Sequence, residues 1–143
     1  MRNTVVVLMA CVSMSISTTV LRADDDPSGY HCVFKSGTAW SYANGSFNSK
    51  SPEPIEFDVA RIDLDGQTAE LIAKDGAQPG ALKIVRAINA NHFLEVVNEG
   101  FLNLTTIYDK DDIAGSHPAV HSRHIGVLGQ PVVAQYTGAC TAK

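Results

Sequence analysis

Cys32 and Cys140 constrain this chain more than any other pair of residues. The third cysteine, Cys11, lies in an amino-terminal segment with the layout of a secretory signal peptide. Met1-Arg2-Asn3 is short and basic, Thr4 to Val20 is apolar with small residues, and Leu21-Arg22-Ala23 precedes an acidic Asp24-Asp25-Asp26. Cleavage is expected after Ala23, leaving 120 of the 143 residues and only two thiols. An even pair in an oxidising compartment points to a disulfide. Such a bond ties the first strand to the last and closes a loop of over a hundred residues, which the chain-entropy account values at about 4–5 kcal/mol. A redox pair would want a Cys-x-x-Cys spacing, which is absent.

Two other readings of the amino end compete with a cleaved signal. A permanent anchor needs roughly 20 apolar residues, and Ser13, Ser15, Ser17, Thr18 and Thr19 interrupt this run. Leu8-Met9-Ala10-Cys11 resembles a lipoprotein cleavage box, but it sits before most of the apolar run. The segment is therefore read as residues 1–23 signal peptide, followed by one domain from 24 to 143. Without Arg2 and Arg22, the 11 basic residues fall to 9 against 15 acidic ones, a formal charge of −6. That balance argues against nucleic acid or an anionic membrane surface as partner, because both reward positive charge.

Between the cysteines the chain reads as strands. Tyr30, Cys32 and Phe34 alternate with polar residues, the period-two pattern of a half-buried strand. Ala43 to Pro54 is rich in Asn, Gly, Ser and Pro and reads as a long loop. Ile55, Phe57 and Val59 share one parity, while Ile62 and Leu64 fall on the other, so a bulge is expected near Ala60-Arg61. Asp65-Gly66 marks a turn. Further strands are expected over Thr68–Ala73, Ala81–Ile88, His92–Val97, Phe101–Tyr108 and Val132–Ala139. Val120–Ile125 is either a strand or a helical turn. About eight short strands at regular spacing imply an all-β fold. The reading is an up-and-down antiparallel barrel closed by the terminal disulfide, with a β-sandwich as the alternative.

Function is less legible. His117, His121 and His124 gather in one stretch, and imidazole is the common ligand for zinc and copper. Steps of four and three place all three on one face of a helix, but on a strand His121 and His124 point apart. The bland alternative is a polar segment near Asp109, Asp111 and Asp112, with pH-sensitive imidazoles. Ser116 beside His117 and Ser122 beside His121 do not make a triad, and there is no Gly-x-Ser-x-Gly elbow. Asp63 with Asp65, and Asp111 with Asp112, are explained by turns and solvation. Asn44-Gly45-Ser46 and Asn103-Leu104-Thr105 match the N-glycosylation pattern, which matters only in a eukaryotic secretory route.

The run Thr105-Thr106-Ile107-Tyr108, then Pro118-Ala119-Val120-His121-Ser122-Arg123-His124, Gly129-Gln130-Pro131 and Gln135-Tyr136, is similar to a small group of exported Gram-negative bacterial proteins. The likeness covers the carboxyl third and implies a periplasmic location without an activity. The signal segment, the short strands and the terminal cysteines more loosely resemble the periplasmic c-type lysozyme inhibitors. Their Ser-Gly-x-x-Tyr loop is missing, since Ser36-Gly37 leads to Thr38-Ala39-Trp40.

These observations lead to an exported, non-catalytic binding or inhibitory module, periplasmic or secreted. Trp40, His121, Arg123 and His124 would form its contact surface, since Arg and Trp often dominate interfaces. Two alternatives remain open. One is a metal-binding protein holding zinc or copper on His117, His121 and His124. The other is a small lipocalin-like carrier, because a barrel of this size can enclose one small ligand.

Overall fold

The computed structural model describes residues 26–97, 100–126 and 129–143. The signal peptide expected at 1–23 lies outside the described residues. Among the described residues nine strands follow one another, each antiparallel to the strands it pairs with: β1 (Tyr30–Ala43), β2 (Ser46–Lys50), β3 (Ile55–Asp63), β4 (Thr68–Ala73), β5 (Gly80–Arg86), β6 (Ala90–Val97), β7 (Phe101–Tyr108), β8 (His117–Ile125) and β9 (Val132–Ala142). β1 also pairs with β9, from Tyr30↔Ala142 to Ser41↔Val132. This closes eight strands into a barrel and leaves β2 outside the ring. The sandwich alternative is thereby set aside, because one continuous sheet meets itself.

β1 is long enough to serve three neighbours. Tyr30–Phe34 pairs with β3 on one side, Ala39–Ala43 pairs with β2 on that same side, and β9 runs along the other. A register shift between Phe34 and Ser36 lets the strand bend without breaking. The bulge expected in β3 is present, with the register shifting between Ala60 and Asp63 and Arg61 at φ 51°. It returns Ile62 and Leu64 to the core side.

The long loop expected over Ala43–Pro54 is a correction. Its first half is a hairpin, with Asn44 (φ 52°) and Gly45 (φ 80°) as the two turn residues between β1 and β2. Two adjacent positive φ values are what a type I′ turn requires, and Asn-Gly is the pair that tolerates them best. Val120–Ile125 resolves as strand, within a β8 that begins at His117.

Tyr30, Cys32 and Phe34 of β1 face inward with Phe57 and Val59 of β3, Leu82 and Ile84 of β5, Phe93 of β6 and Ile107 of β7. Phe34 stacks on Phe57 at 5.5 Å between ring centres. Fully burying each large side chain contributes about 1.5–3 kcal/mol. Cys32 and Cys140 are opposite each other in the β1–β9 ladder and form the disulfide, spanning 108 residues of sequence. Gly138 sits across from Phe34, where a Cβ would collide with the Val33 carbonyl and lie 2.8 Å from Phe34 Cα. A glycine there lets the seam close around the phenyl ring.

The apolar layer fills one end of the barrel. Tyr30 stands edge-on to Phe93 at 6.5 Å and to His117 at 5.1 Å. The other end is lined differently.

Candidate functional site

Inward-facing positions of β6, β7 and β8 carry polar residues at the end where β3 begins and β4 ends. Antiparallel register aligns Glu95 with Asn103, Asn103 with Arg123, and Arg123 with Ala134. One layer deeper, Phe93, Thr105, His121 and Tyr136 form the parallel row. The facing wall comes from Ile55 and Phe57 of β3 and from Leu71 and Ala73 of β4. Between the two walls lies a chamber of about 530 Å³, open at the rim beside Pro54, Glu56, Lys74 and Asp75. One wall is polar and the other apolar.

The polar wall is internally bonded but incomplete. Asn103 Nδ2 donates to Glu95 Oε2 at 2.7 Å, and both residues are more than nine-tenths buried. Gly80, at the start of β5, makes room for this carboxylate, since a Cβ there would run into Glu95 Oε1. Asn103 Oδ1 and Arg123 Nε are both shielded from solvent and have no hydrogen-bond partner. Among the described residues no carboxylate forms an ion pair with Arg123. Most buried polar groups find a partner, so two neighbouring orphans in one chamber call for an explanation.

His121 lies beneath them, 2% exposed. Its Nδ1 shares a 2.9 Å hydrogen bond with Thr105 Oγ1. The rings of Phe57, Phe34 and Tyr136 surround it at 5.1, 5.7 and 6.0 Å. Burial, and secondarily the positive charge of Arg123, push its pKa down to about 4. Both effects disfavour imidazolium, so His121 is neutral at physiological pH.

The residues singled out from sequence therefore separate. His121 and Arg123 point into the barrel. His124 is on the outer face of β8, in register with Val133 of β9, which in turn pairs with Trp40 of β1. Trp40 and His124 thus share an outer row that does not include the other two. His117 has the inward parity of His121, but four residues along a strand is roughly 13 Å. Its Nδ1 contacts the Tyr108 carbonyl oxygen at 2.9 Å, at the opposite end of the barrel. The three imidazoles expected as zinc or copper ligands are not brought together. Among the described residues no three His, Cys, Asp or Glu side chains are grouped to hold a metal.

Glu95, Asn103 and Thr105 were not legible as site residues. A signal existed: each is polar on the parity of its own strand that also carries Phe93 or Ile107. Asn103, matched by the glycosylation pattern, is buried in the chamber wall, whereas Asn44 is at an exposed hairpin tip. In comparisons with known proteins the chain matches no family model, no curated protein and no solved structure.

Proposed function

We propose that this protein is a non-catalytic small-molecule-binding barrel, exported and working in the periplasm or outside the cell, and that its ligand enters the chamber between the Glu95–Asn103–Arg123 row and the Phe57–Leu71 wall. The observation that carries this reading is a chamber of about 530 Å³ lined on one wall by Glu95, Asn103 and Arg123, in which Arg123 has no carboxylate partner among the described residues. Ligand sites are concave, mostly apolar, several hundred Å³ in volume, and carry a few fixed polar groups. The chamber has the concavity, the volume and the fixed polar groups, and its lining is about equally polar and apolar. A guanidinium without an ion-pair partner in the empty protein gains one on binding an acceptor, which gives selectivity for the right ligand.

The test is thermal shift and native mass spectrometry of the secreted chain against a broad panel of amino acids, carboxylates, amines, sugars and nucleosides. A 1:1 complex that raises the melting temperature and is lost in Arg123→Ala supports the reading. Hits unaffected by Arg123→Ala, or no hit in any class, refute it.

A second reading keeps a protein partner on the outside. Trp40, Val133, His124 and Leu102 form a row across β1, β9, β8 and β7, and the Tyr42–Phe47 pair projects from the β1–β2 hairpin with ring centres 5.0 Å apart. Exposed aromatics of this kind suit an interface core. Substituting Trp40 and Phe47 with Ser would abolish binding of such a partner and leave the chamber untouched.

A further inference from the structure

Given that the chamber is a ligand site, its wall also fixes the charge pattern of what it takes. Glu95 and Arg123 are two strands apart in one row, with Asn103 between them. Adjacent strands are about 4.8 Å apart, so the two backbones are separated by about 10 Å, and both side chains converge on the same space. A single anion would satisfy Arg123 but meet the Glu95 carboxylate. A single cation would suit Glu95 and Asn103 Oδ1 but meet the guanidinium. A neutral apolar molecule would leave both charged groups without a partner, since the row presents one charge of each sign rather than a neutral polar edge.

We propose that the ligand is a zwitterion of the amino-acid type with an apolar side group. Its carboxylate is held by the Arg123 guanidinium, its ammonium by the Glu95 carboxylate, and its side group packs against Ile55, Phe57 and Leu71. At the rim Lys74 is bonded to Glu56 at 2.8 Å, while among the described residues Asp75 accepts only from the Ala77 backbone N–H. The Asn103 Nδ2 to Glu95 bond holds the carboxylate in place in the chamber wall. The apolar wall of Ile55, Phe57 and Leu71 favours a branched or aromatic side group over a charged one.

The experiment is isothermal titration of the secreted chain with leucine and phenylalanine, with their N-acetyl derivatives, which lack the ammonium, and with the matching amines, which lack the carboxylate. The zwitterions should bind at least tenfold tighter than either analogue. In Glu95→Gln the preference over the N-acetyl form should shrink at least tenfold while that form keeps its affinity. If an N-acetyl acid or an amine binds as tightly as the zwitterion, the class is wrong although the chamber remains a ligand site. If none of the six binds while other panel compounds bind in an Arg123-dependent way, the class is again wrong. The comparison among ligands uses the unaltered chain, so it does not depend on Glu95→Gln folding normally.

Discussion

Lowering the pH from 7 to 5 should weaken this fold through one residue, and His121→Gln should remove that weakness. His121 is buried among Phe34, Phe57 and Tyr136 with Arg123 beside it, which moves its pKa from 6.5 to about 4. The unfolded chain binds a proton at the ordinary value and the folded chain does not. Stability from this group is therefore full above pH 6.5 and falls as the pH drops, levelling off below about 4. The whole shift is worth about 3 kcal/mol, of which about 2 kcal/mol is lost between pH 7 and pH 5. Two depressed carboxylates add a separate acid sensitivity. The Lys74 hydrogen bond holds Glu56 below its usual range, and the Lys143 and His31 hydrogen bonds do so for Asp58. Their contribution is lost at lower pH, as each is protonated, and it is common to both proteins. Urea unfolding of wild type and His121→Gln at pH 7.5, 6, 5 and 4.5 isolates the histidine in the difference curve. That difference should change by about 2 kcal/mol in favour of the variant between pH 7 and pH 5. Parallel curves, or a His121 ring titrating near 6.5 by NMR, would rule out a buried, neutral His121 as the source.

Arg123→Ala should cost no stability in the empty protein, because it removes a guanidinium with an unpartnered shielded nitrogen, and it should raise the His121 pKa only part of the way, since burial is the larger cause; denaturant melts and an NMR titration check both. Replacing Cys32 and Cys140 by Ala should cost about 4–5 kcal/mol by the loop-closure account for a span of 108 residues, read from the denaturation midpoint. Gly138→Ala should cost on the order of 2–3 kcal/mol at the β1–β9 seam, since the added methyl meets backbone rather than a flexible side-chain tip.

The barrel itself was readable because its signals are local or covalent. Alternation in Tyr30–Phe34, the phase slip at Ala60-Arg61 and the two distant cysteines each state part of the closed meander. β2 was missed because Ser46–Lys50 is exposed throughout and owes its place to backbone pairing with β1 rather than to burial. The Asn44-Gly45 turn pair was the available clue. The chamber was hidden for a different reason. His121 and Arg123 could be named as interesting, but their direction depends on β8 being a strand. Their meeting with Glu95 and Asn103 depends on register across three strands, which no single segment encodes.

The proposed ligand site lies inside the open end of the barrel, and an NMR titration of the isotope-labelled chain with the tightest small ligand found probes it residue by residue. The prediction is that the Asn103 carboxamide, the Arg123 Nε–H and the His121 ring shift first and saturate at one equivalent. Shifts confined to outward residues such as Trp40, His124 and Leu102, with the chamber silent, would contradict it.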